Sequence, residues 1–126
     1  MENQRVILIA DRNPRIRDFV QRELKSDGHW VFAAENGDQL KNWLCRPGRI
    51  DVLVIDPDMP GVEGDLHLNR MLAMRPNLAV ILHCLASDSS LRFSDRPNML
   101  LIEKSGQSVD LLKQKIRTIL GVENPV

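Results

Sequence analysis

Apolar residues occur along this chain in short continuous runs that alternate with amphipathic stretches. The runs at 6–10, 52–55 and 79–82 each contain four or five consecutive apolar residues, mostly Val, Ile and Leu. Such runs are typical of parallel strands that are buried on both faces. Two weaker patterns, at 29–34 and 99–102, predict two further strands.

The stretches between these runs have the three-to-four-residue spacing of amphipathic helices. Asn13-Pro14 supplies an N-cap followed by proline in the first helical position, which predicts a helix to about Lys25. The polar segment 87–98 predicts only a short or irregular fourth helix. Five βα units in alternation predict a single α/β domain, a doubly wound five-stranded parallel sheet in the order 2-1-3-4-5. Three other helices are predicted. One contains residues 40–44, another ends near Arg75, and the last runs from Val109 and stops at Gly121.

Composition narrows the possible functions and locations. The 126 residues include 17 Lys plus Arg and 17 Asp plus Glu, a balance that argues against direct binding to nucleic acid or anionic lipid. The first apolar run ends at Asp11 and is too short for a signal peptide or membrane span, so a cytoplasmic location is expected. Cys45 and Cys84 form no C-x-x-C motif, and each is expected to pack as a small apolar side chain. His83 is expected to be a packed side chain of a buried strand rather than a phosphorylation or metal residue. Residues 1–120 are expected to form the domain, and 121–126 a tail or the start of a linker.

Charged residues follow three of the predicted strands, namely Asp11, Asp56 and Lys104. Because the carboxyl ends of parallel strands meet at one edge of a sheet, we expect these three side chains to lie together. Paired carboxylates suit Mg²⁺, and an aspartate in that setting can attack phosphorus. Each residue alone is explained as well by capping or solvation. Their combination at three strand ends predicts a site.

The segment from Asp56 to Gly64, DPDMPGVEG, resembles the phosphoacceptor loop of bacterial response-regulator receiver domains of the chemotaxis-regulator type. The segment 11–17 is similar to the acidic loop and first helix of that family, and 34–37 resembles the segment after its second strand. Lys104 falls where the family keeps a lysine. The resemblance covers nearly the whole chain and implies a flavodoxin-like fold.

The resemblance also implies a function and a set of site residues. Asp56 would accept a phosphoryl group from a histidine kinase or phosphotransfer protein, and Lys104 would contact a phosphoryl oxygen. Mg²⁺ would be bound by Asp11 and Asp56 together with the backbone carbonyl of Asp58. The protein would then be a phosphoacceptor rather than a turnover enzyme, able to form a homodimer through the strand-five face.

The sequence departs from the family pattern at four places. Arg12 stands where a second acidic residue is usual beside Asp11, and it either enters the metal site, weakening Mg²⁺ binding, or faces outward. Cys84 replaces the hydroxyl residue after strand four, and a thiol is a weaker hydrogen-bond donor. Leu101 replaces a switching aromatic residue. Ser105-Gly106 replaces Pro-Phe after the lysine, which predicts a looser loop and, with the other changes, an altered switch.

Two other functions stay open at this point. A pseudo-receiver would keep the fold but act as a docking or dimerisation module without phosphorylation. An aspartate-nucleophile phosphatase is the third hypothesis, because Asp56-Pro57-Asp58 also resembles the D-x-D motif of haloacid-dehalogenase-type phosphatases. That motif normally opens its domain, whereas two βα units precede it here.

Overall fold

Five strands form one parallel sheet in the order β2-β1-β3-β4-β5, as predicted. The computed structural model describes residues 5–62, 65–85 and 98–121, without the side chains of 65 and 66. Hydrogen-bonded neighbours are parallel throughout, and β1 and β3 lie side by side in the middle of the sheet. The strands are β1 (Val6–Ala10), β2 (Trp30–Ala34), β3 (Val52–Ile55), β4 (Ala79–Cys84) and β5 (Met99–Glu103).

The helices of the described residues connect these strands. The side-chain oxygen of Asn13 accepts hydrogen bonds from the backbone N–H groups of Arg15 and Ile16, which confirms the predicted N-cap of the first helix. The predicted short helix at 87–98 lies outside the described residues except for Asn98, and so does the tail beyond Gly121. The helices are α1 (Pro14–Ser26), α2 (Gly37–Cys45), α3 (Asp65–Leu72) and α4 (Ser108–Leu120).

The sheet separates two apolar layers. Successive residues of a strand point to opposite faces, so Leu8 and Ala10 of β1 pack in one layer while Ile7 and Ile9 pack in the other. The first layer contains the buried residues of α2 and α3, and the second those of α1 and α4. Burial on both faces explains why the central strands are continuously apolar.

Two predictions made from the sequence need correction. The helix expected to reach about Arg75 ends at Leu72, because the residues after it form tighter turns in which the Arg75 N–H donates to the carbonyl of Leu72. Cys45 is exposed rather than packed, since it is the last residue of α2, whereas Cys84 is buried as expected. No helix within the described ranges is long and apolar enough to cross a membrane.

Candidate functional site

The strand ends bring the two aspartates and the lysine into direct contact. Asp11 follows β1, Asp56 follows β3, and Lys104 follows β5 and reaches past β4. The Lys104 Nζ lies 3.0 Å from the Oδ2 atom of Asp11 and 3.0 Å from the Oδ2 atom of Asp56. Both carboxylates therefore converge on one cation, the Lys104 ammonium, and their Oδ2 atoms are separated by at most twice this distance.

This cluster is buried and strongly ionic. The side chains of Asp11 and Asp56 are each 3% exposed, and that of Lys104 is 12% exposed. Burial of the Lys104 ammonium lowers its pKa, but the hydrogen bonds and charges of the two aspartates outweigh burial, so the pKa of Lys104 is raised overall. Lys104 therefore remains protonated at neutral pH and provides a fixed positive charge beside Asp56.

Each aspartate is oriented by its own loop. The Asp56 Oδ1 atom accepts a hydrogen bond of 2.9 Å from the backbone N–H of Asp58, and the Asp11 Oδ1 atom accepts one of 2.9 Å from the N–H of Asn13. The second oxygen of each carboxylate faces Lys104. The loops thus fix both carboxylates without using the oxygens that face the lysine.

Arg12 lies at the solvent side of the same cluster. Its Nε atom is 3.9 Å from the Oδ2 atom of Asp56, and its side chain is 55% exposed. The guanidinium therefore lies at the edge of the cluster, between solvent and the Asp56 carboxylate. Arg17 lies nearby, where it donates to the Asp11 carbonyl at 2.8 Å and pairs with Glu35 at 3.5 Å.

The loop after β3, residues 56–62, is held by close backbone packing. Met59 and Val62 are buried in the core, and the N–H of Gly37 donates to the carbonyl of Pro60 at 2.6 Å. A Cβ atom on Gly37 would lie 2.8 Å from the Cα of Gly61 and still nearer to its carbonyl. Only glycine allows this approach, and the sequence pattern gives no sign of this role of Gly37.

The loop after β5, residues 104–108, is held by hydrogen bonds. The Lys104 N–H donates to the Cys84 carbonyl at 2.7 Å, and the Ser108 hydroxyl donates to the Ser105 carbonyl at 2.9 Å. Because the Ser108 proton is used in that bond, the Nε2–H of His83 donates to the Ser108 Oγ, 2.9 Å away. These hydrogen bonds support the loop that lacks the family's Pro-Phe pair.

His83 is buried beside Lys104, as a packed side chain. Burial, together with the positive charge of Lys104, lowers the pKa of His83 to about 4, although the charge of Asp56 acts in the opposite direction. His83 is therefore neutral at physiological pH. Its neutral imidazole donates a hydrogen bond to the loop at 104–108, the lysine loop.

Comparison with known families identifies the chain. The family described as the response regulator receiver domain matches residues 7–114. This chain belongs to that family. It is 30% identical over 80 residues to the transcriptional regulatory protein AruR of Pseudomonas aeruginosa, which covers 60% of this chain and 32% of AruR.

Two further relatives are similar to this receiver. Sporulation initiation phosphotransferase F of Bacillus subtilis is 28% identical over 82 residues, covering 65% of this chain and 64% of that protein. The receiver thus spans less than two thirds of the length of either curated relative. The response regulator TrrA of Thermotoga maritima, solved in complex with Mg²⁺ and beryllofluoride, has 27% identity and a TM-score of 0.76, covering 91% of this chain and 98% of TrrA.

The two predicted switch residues of this receiver lie in different environments. Cys84 is the buried last residue of β4 and is paired with Glu103 of β5. Leu101 is 55% exposed on β5, an edge strand of the sheet, and lies outside both apolar layers. The structure therefore places Cys84 beside the lysine loop and Leu101 on the outer surface.

The receiver offers oxygen donors that suit Mg²⁺. Asp11 and Asp56 contribute two converging carboxylates, and Mg²⁺ is commonly held in proteins by one or two carboxylates and several waters. Within the described residues, no three side chains of His, Cys, Asp or Glu form a group that could hold a metal ion. The two carboxylates are of the kind that Mg²⁺ prefers, but Arg12 stands where the family pattern supplies a further acidic residue, so the donor set is incomplete.

Proposed function

We propose that this receiver accepts a phosphoryl group on Asp56. The observation that carries the proposal is the environment of this buried carboxylate: one oxygen accepts the N–H of Asp58, and the other lies 3.0 Å from the Lys104 ammonium. A fixed cation beside the acceptor stabilises the charge that develops on a transferring phosphoryl group. Asp56 is the proposed acceptor, and Lys104 the proposed ligand of a phosphoryl oxygen.

In the proposed reaction, an oxygen of Asp56 attacks the phosphorus of a phosphohistidine on a kinase or phosphotransfer protein. The new P–O bond forms as the P–N bond breaks, and the histidine nitrogen leaves with the electron pair. The Asp58 N–H and the Lys104 ammonium orient the carboxylate and hold it in place during the transfer. The product is an aspartyl phosphate, and no further turnover follows from this chemistry alone.

The residues proposed to hold Mg²⁺ are Asp11 and Asp56, together with the backbone carbonyl of Asp58. When bound, the cation would supply positive charge to the phosphoryl oxygens. The response regulator TrrA, solved with Mg²⁺ and beryllofluoride, supports this assignment. Weak binding is proposed here, because Lys104 and Arg12 already place positive charge on the same carboxylate oxygen.

A homodimer through the strand-five face is also proposed. The exposed Leu101 provides an apolar contact on an edge strand, and the exposed Leu111 of α4 adds another. Phosphorylation would act on this face through the lysine loop, whose first N–H donates to the carbonyl of Cys84.

A cytoplasmic location and a domain boundary near residue 120 also remain predictions.

Intact-mass spectrometry tests the acceptor. The protein is incubated with acetyl phosphate and Mg²⁺, and we expect one added phosphoryl group in the wild type and none in Asp56→Asn. Asp38→Asn is the matched control, because Asp38 is an exposed aspartate in the first turn of α2 and should leave labelling unchanged.

Two outcomes would favour the other functions. An unmodified wild type at saturating donor and metal would indicate a pseudo-receiver that acts only by docking or dimerisation. Steady release of inorganic phosphate from a small phosphoester, lost in Asp56→Asn, would indicate the phosphatase.

A further inference from the structure

Arg12 places a second positive charge beside Asp56, in addition to that of Lys104. We infer that Arg12 acts as a built-in counter-charge for the phosphoryl group on Asp56, so that the receiver accepts and holds this group without needing a divalent cation. The inference rests on the proposed function. It assigns to Arg12 the charge-neutralising role that a metal ion would otherwise fill.

Two cations converge on one oxygen of the proposed acceptor. The Asp56 Oδ2 atom lies 3.0 Å from the Lys104 Nζ and 3.9 Å from the Arg12 Nε. In the part of the chain that the structure describes, Arg12 forms no other ion pair. Its side chain is 55% exposed, so the guanidinium is able to follow the charge from the carboxylate to a phosphoryl group.

Before phosphorylation, the formal charges of the four side chains of the cluster sum to zero without a metal ion. Asp11 and Asp56 contribute two negative charges, and Lys104 and Arg12 contribute two positive charges. A phosphoryl group turns the single charge of Asp56 into about two at neutral pH. The planar guanidinium fork can bind two phosphoryl oxygens through parallel N–H donors, whereas a lysine ammonium acts as a point charge without this fixed geometry.

A divalent cation would enter this cluster against repulsion. It would bring two positive charges to a carboxylate that two protein cations already contact. The neighbouring Arg17 does not take over the role of Arg12, because it binds the Asp11 carbonyl and the Glu35 carboxylate. Of these two arginines, Arg12 is therefore the one in position to bind the phosphoryl group.

Acetyl phosphate provides a balanced test reaction. An Asp56 oxygen forms a bond to phosphorus, the bond from phosphorus to the acetate oxygen breaks, and acetate leaves with the electron pair. No proton is transferred, and the total charge is the same on both sides. Arg12 and Lys104 change only their electrostatic contacts.

The experiment compares initial labelling rates by intact-mass spectrometry in Mg²⁺ and in EDTA. We expect the wild type to be labelled at similar rates in both conditions. Arg12→Asp should be labelled well in Mg²⁺ but at least about tenfold more slowly in EDTA, and Arg12→Gln should lose about tenfold in EDTA relative to the wild type. Arg15→Asp and Arg15→Gln are the matched controls, because Arg15 is an exposed arginine one helical turn away.

A binding measurement tests the same residue without any phosphorylation. Mg²⁺ titration followed by amide chemical shifts should give about tenfold tighter binding in Arg12→Asp than in the wild type, and no such gain in Arg15→Asp. Circular dichroism checks that each variant is folded.

The outcomes separate the two proposals. Labelling of the wild type in Mg²⁺ but not in EDTA would overturn the role of Arg12 and leave Asp56 as the acceptor. Equal EDTA labelling of Arg12→Gln and the wild type, or equal Mg²⁺ affinity of Arg12→Asp and the wild type, would also overturn it. No labelling of the wild type in either condition would refute the proposed function, and with it this inference.

Discussion

The two loops that meet at the site are held in place by different forces. The loop after β3, which carries Asp56, depends on buried apolar side chains and on the close contact of Gly37 with Gly61. The loop after β5, which carries Lys104, depends on hydrogen bonds through His83 and Ser108. Steric packing does not respond to pH, whereas a buried histidine does. The acceptor and its cation therefore respond to different perturbations.

The two loops also differ in how closely their sequences match the receiver family. The loop after β3, the acceptor loop, has the family pattern, including Met59-Pro60 and Gly61. It is held by buried apolar side chains and close backbone packing. The lysine loop lacks the usual proline, and a chain of polar side chains holds it instead. Hydrogen bonds therefore support this loop at the place where the family pattern has a proline.

The largest expected effect is a pH dependence that arises from His83. Its pKa is about 4 in the folded protein and near 6.5 when unfolded, so the unfolded chain binds more protons between these values. His83 therefore destabilises the fold as pH decreases from 6.5 towards 4, by up to about 3 kcal/mol. We expect urea denaturation at pH 7 and at pH 4 to show this change. On going to pH 4, the wild type should lose about 3 kcal/mol more free energy of unfolding than His83→Gln does.

His67 offers the matched control for this measurement. It is exposed on α3, and His67→Gln should leave the pH dependence of unfolding as in the wild type. A stability gap between the wild type and His83→Gln that does not change from pH 7 to pH 4 would contradict the assignment to His83.

The next effect tests the steric support of the acceptor loop. Gly37→Ala should cost about 2 kcal/mol of unfolding free energy, because the new methyl group overlaps the Gly61 backbone and forces the two turns apart. Gly106→Ala is the control in the lysine loop, where the added methyl group would meet no atom within 4 Å. It should be neutral or stabilising by about 0.5 kcal/mol. Equal losses in urea denaturation would remove the distinction between the two loops.

A smaller effect tests the polar support of the lysine loop. Ser108→Ala should cost about 1.5 kcal/mol in thermal or urea denaturation, because the buried Nε2–H of His83 loses its acceptor. Ser105→Ala removes an exposed hydroxyl from the same loop, one that only accepts the Gln107 N–H at 3.2 Å, and should cost less than about 0.5 kcal/mol. If both variants lose the same stability, the histidine contact is not what supports the loop.

The sequence predicted the parts of this receiver that depend on strand order and strand ends. Apolar runs and the doubly wound topology were sufficient to expect Asp11, Asp56 and Lys104 at one edge of the sheet. The contact of Gly37 with Gly61 was missed, because glycine in two separate turns carries no signal of mutual contact.

Contacts between distant side chains were also beyond the sequence. The bond between His83 and Ser108 joins residues 25 positions apart, and only the register of β4 and the start of α4 bring them together. The prediction that Cys45 is packed was wrong because a cysteine at the end of a short helix has the same apolar neighbours in sequence as a buried one. Patterns of burial are local in sequence, but partners of polar groups are not.

The smallest effect concerns how the two loops communicate. Cys84 ends β4, its carbonyl accepts the Lys104 N–H, and its thiol is a weak hydrogen-bond donor. A threonine hydroxyl at this position would add a hydrogen bond to the phosphoryl group worth about 1 kcal/mol. Cys84→Thr should therefore enlarge the amide chemical-shift changes around β5 when beryllofluoride and Mg²⁺ are added. Cys45→Thr, which alters the exposed cysteine, should respond as the wild type does, and equal responses in all three proteins would exclude Cys84 as the residue that limits the switch.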